Sequence, residues 1–143
     1  MAVTCDWLCA CQTAIVDRIS GRISLIQVVE TVAAPRFPAQ LPTFHVVATW
    51  QNHTEMSTAA KLRIRIEEVG ADGGSQLAEE DVTFSGRTTH RSICIVQSLT
   101  VLRPGAYRVV AQMQAPGAES WSDAASYPFQ VVSAQAPSGA AMA

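Results

Sequence analysis

A chain of 143 residues with 48% hydrophobic and 15% charged residues is long enough to bury a single core without staples. Its net charge of −2 leaves no basic footprint for nucleic acid. No stretch approaches the ~18 apolar residues of a membrane-spanning helix, and no run of like charge reads as a membrane-surface patch.

The first residues, MAVTCDWLCACQ, have no basic start, carry Asp6 early and lack a clean apolar segment, so no secretory signal is expected. Four cysteines without an export signal predict free thiols in a reducing cytoplasm. The sequon Asn52-His53-Thr54 then has no meaning as a glycan site. Alternation from Val3 to Cys11 puts Val3, Cys5, Trp7, Cys9 and Cys11 on one face of a first strand. Residues 12–21 read as a connection closed by Gly21. Arg22–Ala33 is the longest β-like run. Its LIQVV centre is apolar on both faces except for Gln27, which predicts an interior strand. Pro35, Pro38 and Pro42 break the ladder, because proline cannot donate to it. Phe37 in that loop is expected to pack over the end of the core.

Phe44–Trp50 alternates again, with Phe44, Val46, Ala48 and Trp50 on one side and His45 among the outward residues. Ala60–Val69 is the cleanest amphipathic strand: Leu62, Ile64 and Ile66 inward, Lys61, Arg63, Arg65 and Glu67 outward. Asp72-Gly73 centres a hairpin turn. Leu77–Phe84 returns, but Glu80 shares the inward parity of Val82 and Phe84, which predicts a bulge or a frayed start there. Arg91–Val101 is a further strand, and Tyr127–Val132 is the last.

Between them, VLRPGAYRVVAQM organises the chain. Pro104 and Gly105 suit a tight turn. Tyr107, Val109, Ala111 and Met113 then line one face. A tyrosine directly after such a turn can bury its ring and return its hydroxyl to the turn backbone. The expectation is a single all-β domain over residues 1–132, an antiparallel immunoglobulin-like β-sandwich of about eight strands. A disordered Ala/Pro/Ser/Gly-rich tail, residues 133–143, follows.

Leu102-x-Pro104-Gly105-x-Tyr107 resembles the tyrosine-corner region of immunoglobulin and fibronectin type III domains, and Trp50 is loosely similar to their core tryptophan. Over most of its length the chain also looks like a bacterial family of short β-sandwich proteins of unknown function. The features that carry this likeness are Cys5-Asp6, Gly21-Arg22-Ile23-Ser24-Leu25-Ile26, Phe37-Pro38 and Gly105-x-Tyr107. That likeness implies no activity and no catalytic residues, and it implies a bacterial, cytoplasmic protein.

Cys5, Cys9, Cys11 and Cys94 read as small core hydrophobes, because on one strand face their sulfurs lie about 7 Å apart per two residues, too far to share one ion. His53, His90 and Asp123 on loops offer an alternative metal- or ligand-binding cluster, without any H-x-H or H-E-x-x-H spacing to support it. No nucleophile elbow and no phosphate loop is present, so no enzyme and no cofactor is expected. Lys61, Arg63 and Arg65 face Glu79 and Asp81 across the hairpin and predict cross-strand ion pairs.

The remaining unusual residues sit on long loops. If every strand reverses, residues 12–21, 51–59, 85–90 and 114–126 gather at one end. That end would carry Asn52, His53, Glu55, Met56, Arg87, His90, Trp121 and Asp123. Trp121, His90, Arg87 and His53 are the candidate binding residues, since Trp and Arg are enriched where proteins bind one another. The functional expectation is a non-enzymatic protein-binding or assembly module, with a protein partner or self-association.

Overall fold

A computed structural model describes residues 2–134. Among these described residues eleven strands appear in chain order: β1 (Val3–Val16), β2 (Ile23–Val28), β3 (Thr31–Ala34), β4 (Ala39–Gln40), β5 (Phe44–Asn52), β6 (Thr58–Glu68), β7 (Ser75–Phe84), β8 (Thr89–Val96), β9 (Thr100–Val101), β10 (Gly105–Gln114) and β11 (Ser122–Ser133). They form a first sheet in the order β2-β1-β5-β8 and a second in the order β3-β11-β10-β6-β7. β4 and β9 pair separately. All pairings are antiparallel except β3 with β11. The fold is an all-β sandwich.

The alternation of the sequence places the core. Leu8, Ala10, Val46, Ala48, Trp50 and Val96 point in from the first sheet. Leu62, Ile64, Ile66, Tyr107, Val109, Ala111, Met113, Phe129 and Val131 point in from the second. Fully burying each large apolar side chain stabilises the fold by about 1.5–3 kcal/mol. Tyr107 stacks on Phe129, with ring centroids 5.8 Å apart, and its hydroxyl donates to Arg103 O at 2.6 Å. Phe37 packs against the core from the proline loop, as its place in the sequence predicts.

Several expectations are corrected. A bulge between Cys5 and Trp7 shifts the register of β1 against β5. It reverses the parity, so Val3 joins Leu8 and Ala10 in the core while Trp7 is exposed. Residues 12–16 are strand, not connection. The run 22–33 is not an interior strand: it divides into β2 at one edge of the first sheet and β3 at one edge of the second. The division falls at Val29 and Glu30, two residues after Gln27, which takes φ 55° within β2. The run 91–101 also divides, at Ser98 with φ 58°. The last strand begins at Ser122, inside the stretch expected to be a loop. Its final residue is Ser133; the rest of the expected tail, 135–143, lies outside the described residues.

Candidate interaction surface

β1 and β2 continue past the rest of their sheet as a two-stranded arm, with Val16 opposite Ile23. Two contacts trace its path. Gln12 O meets Nδ1 of His45 at 3.0 Å, and Gly21 O accepts from Arg91 Nη1 at 3.1 Å. Arg91 lies on β8, in the row Trp7–Thr49–Arg91. A straight arm would carry Gly21 far beyond that row, so the arm bends back across the outer face of the sheet. At its tip Asp17 Oδ1 accepts from the backbone N–H groups of Ile19 and Ser20, at 2.7 and 3.1 Å. These bonds hold the Asp17 carboxyl below the ordinary aspartate range and fix the turn that projects Ile19.

The outer face beneath the arm is apolar by register. Cys9, Val47 and Ile93 form one row; Cys11, His45 and Ile95 form the next. Val47 and Cys11 have no exposure, as expected where the arm crosses β5. Ile93 and Ile95 on β8 stay open at 41% and 57%. Trp7, Ile15, Val16, Ile19, Ile26 and Val28 are also exposed. The outer face of the second sheet is different. Arg63 Nε donates to Gln112 Oε1 at 2.6 Å, Arg108 pairs with Glu67, and Gln112 Nε2 donates to Asp123 Oδ1 at 2.7 Å.

The loop end is organised by Asn52, which is fully buried. Its Nδ2 donates to Thr54 O at 3.4 Å, Met56 O at 3.1 Å and Gly86 O at 2.8 Å. Its Oδ1 accepts from Thr54 N and Oγ1. One amide therefore holds residues 53–57 and 85–88 as a unit, and Met56 is left exposed. His53 Nε2 lies 2.8 Å from Thr4 Oγ1. Arg87 Nε pairs with Glu55 Oε1 at 2.7 Å, both side chains open to solvent.

The four candidate binding residues do not form one cluster. His53 and Arg87 sit on the joined loops. His90 lies within β8 and meets the Phe84 ring edge-on at 6.3 Å. Trp121 carries the Arg63 guanidinium 4.1 Å above its ring, on the outer face of the second sheet. Asp123 is a strand residue bonded to Gln112, so His53, His90 and Asp123 do not converge. Among the described residues, no three His, Cys, Asp or Glu side chains are placed to hold a metal ion. The basic stripe also differs from expectation. Lys61 and Arg63 do face Asp81 and Glu79 in register, but Arg63 is drawn to Gln112 and Trp121 instead.

Glu80 escapes simple pattern reading. The bulge falls nearer the hairpin turn, at Leu77. Glu80 keeps its inward parity because the other sheet supplies partners. Ser92 Oγ donates to Glu80 Oε1, His90 Nε2 lies 3.1 Å from the same oxygen, and Trp50 Nε1 donates to Ser92 Oγ at 3.1 Å. The set bridges β5, β8 and β7 beside a cavity of about 90 Å³ between the sheet edges. Ser, His and Glu are together here, but serine and histidine share one carboxylate oxygen. A nucleophile–base–orienter relay needs serine to donate to histidine.

The four cysteines are free, with Cys9, Cys11 and Cys94 buried and Cys5 half-buried. Burial raises every thiol above its ordinary value, Cys5 to about 11. Tyr127 donates to Val29 O at 2.6 Å. Burial and the nearby Cys9 thiol push its hydroxyl up to about 12.

These features define an all-β sandwich with an apolar arm folded across one face. Residues 6–133 match a family described only as a family of unknown function, DUF6941, and the chain belongs to that family. No curated protein matches the chain. Solved structures share the fold. A Bifidobacterium adolescentis GH3 β-glucosidase superposes with a TM-score of 0.53 at 12% identity, over 90% of this chain and 17% of its own. A Listeria innocua β-glucosidase superposes with a TM-score of 0.52 at 12% identity, over 91% of this chain and 16% of its own. This chain thus spans about one-sixth of those enzymes. The CARDB domain of a Pyrococcus furiosus protein, solved with di-metal ions, gives a TM-score of 0.48 at 12% identity over 90% of both chains. At 12% identity the likeness to the two β-glucosidases is one of fold. Among the described residues, no helix is long and apolar enough to cross a membrane.

Proposed function

We propose that this chain is a non-enzymatic protein-binding or assembly module that engages its partner through the β1–β2 arm and the outer face of the first sheet. One observation carries the reading. Of twelve exposed large hydrophobic side chains among the described residues, eight lie on β1, the arm turn, β2 or β8: Trp7, Ile15, Val16, Ile19, Ile26, Val28, Ile93 and Ile95. Single exposed apolar residues are ordinary; their concentration on the arm and β8 supports reading these elements as an interaction surface. Arg18 and Arg22 at the arm turn and Arg91, which holds Gly21 there, add positive charge, which favours a partner with apolar and acidic groups.

A second reading places the contact at the loop end. Asn52 supports it by holding two loops rigidly, with Met56, His53 and Arg87 displayed on them. Rigid loops on a sandwich frame are a common recognition device. Affinity recovery from the source cells separates the two. Ile19→Asp with Ile26→Lys should abolish recovery of a partner that the unaltered chain retains, with stability changed by no more than about 0.5 kcal/mol. A joint His53→Ala, Arg87→Ala and Trp121→Ala chain should retain it. The reverse pattern would move the site to the loop end. Full recovery by both chains would overturn the proposal.

A further inference from the structure

Four strands form the edges of the two main sheets: β2 and β8 in the first, β3 and β7 in the second. An exposed edge presents unpaired backbone groups, and folds blunt such edges with charge, bulges or brevity. β7 carries a register shift, outward Glu79 and Asp81, and the inward Glu80. β3 is four residues long. β2 is carried out of line by the bent arm and holds Gln27 at φ 55°. β8 has none of these devices. Its eight residues, THRSICIV, contain no proline, and Arg91 is the one always-charged side chain. Its outer residues are Ile93 and Ile95. Among the described residues no strand pairs with its far side, and no backbone bond from a turn or loop reaches residues 89–96.

We propose, building on the assembly reading above, that β8 pairs antiparallel with β8 of a second copy of this chain, joining two four-stranded sheets into one. The strand is self-complementary. Antiparallel pairs share a face only when their residue numbers sum to an even value, as they do in a register centred on Cys94. Ile93 then faces Ile95 of the second copy, and Ile95 faces Ile93. Apolar β-branched pairs of this kind are the favourable unit of a sheet. Arg91 falls opposite Gln97, so no like charges meet. The two Arg91 residues lie about 20 Å apart along the strands, beyond the ~8–10 Å over which exposed charges are felt at moderate salt. The arm adds to the contact. Its tip is fastened to Arg91, and Ile19 there is 98% exposed. In the paired form that side chain sits beside the joined edges, where the second copy's Ile93 and Ile95 continue the apolar face.

Sedimentation equilibrium of the full chain tests this, with hydrogen exchange over a concentration series. The expected result is a concentration-dependent dimer in which new amide protection is confined to residues 89–96. Ile93→Lys and Ile95→Lys change exposed positions and should each raise the dimer dissociation constant at least about tenfold. Ile95→Val should leave it within about twofold. A dimer that survives both lysine changes, or protection elsewhere, overturns the proposal. A chain that stays monomeric up to millimolar concentration also overturns it. If that monomer still recovers a partner, and Ile95→Lys abolishes recovery, the edge takes a foreign strand and only the second copy is refuted. If it recovers nothing, the binding-module reading fails with it.

Discussion

The Asn52 side-chain amide donates to Gly86 O at 2.8 Å and so ties the end of β5 to the loop between β7 and β8. The same nitrogen serves Thr54 O and Met56 O. An aspartate at this position has the same shape but presents oxygen to three carbonyls. Asn52→Ala is expected to cost roughly 1–3 kcal/mol by leaving buried groups unpaired, and Asn52→Asp more. The Asn52→Asp penalty should shrink as pH falls and the carboxyl regains a proton to donate. Denaturant midpoints at several pH values check this; equal loss at all pH values would contradict it.

Tyr107 closes the other end. Its hydroxyl bond to Arg103 O at 2.6 Å sits above a ring that is 6% exposed. Tyr107→Phe keeps the stacking on Phe129 and removes only the bond, at an expected cost of about 0.5–1.5 kcal/mol. Gly105→Val should cost more, because φ at Gly105 is 152°, where side chains bearing a Cβ rarely sit. A Tyr107→Phe chain with an unchanged midpoint would show that Arg103 O finds water instead.

The thiols and Tyr127 set the alkaline limit of stability. Folding raises Cys5 from 9.0 to about 11 and Tyr127 from 10.0 to about 12, in both cases chiefly by burial. A group raised in the fold favours its protonated form there. Its contribution is whole below the unfolded value and is lost as pH rises through the folded value. The urea midpoint should therefore hold steady near neutrality and fall from about pH 9 upward. Cys5→Ala should lessen the first part of that fall, the other three raised thiols supplying the rest. A midpoint level to pH 11 would contradict the assignment. Native thiol labelling should be slow at Cys9, Cys11 and Cys94, and rapid only after unfolding.

What could be read from the sequence followed from local period. Leu62, Ile64 and Ile66 alternate with charge, and all three are buried. Val109, Ala111 and Met113 in β10 also alternate and are buried, although Val110 between them is buried on the other face. What could not be read depended on distant partners or on backbone breaks without a signature. The Cys5–Trp7 bulge has no glycine to announce it, so one extra residue moved Trp7 from expected core to surface. Ser98 takes positive φ at the break between β8 and β9 without being glycine, and Gln27 does so just before the break at Val29 and Glu30, so two long β-like runs concealed two breaks. Asn52 looked like the start of a polar loop, and only the carbonyls of Met56 and Gly86 reveal it as that loop's anchor. Glu80 was visible as an inward charge. Its partners Ser92 and His90 share inward parity on the next strand, a signal that a cross-strand reading could have used.

The bond between Trp50 and Ser92 provides the strictest test of that cross-sheet set. Trp50 has no exposure, and its indole N–H can only donate. Ser92 accepts that proton at 3.1 Å and passes its own to Glu80. Ser92→Ala removes the acceptor and strands both the indole N–H and one side of the Glu80 carboxylate, at an expected cost of about 1–3 kcal/mol. Trp50→Phe removes the donor but also leaves a gap, so it is costly alone. The two changes share one interaction, so the double variant should be less destabilised than the sum of the singles by about 0.5–3 kcal/mol. Ser92→Thr keeps the hydroxyl and should retain most of the stability lost in Ser92→Ala. His90→Ala should cost less than Ser92→Ala, because His90 stands at the solvent side of the same oxygen. Strict additivity between Trp50→Phe and Ser92→Ala would mean that the indole proton has another acceptor and that Glu80 is held in place by His90 alone.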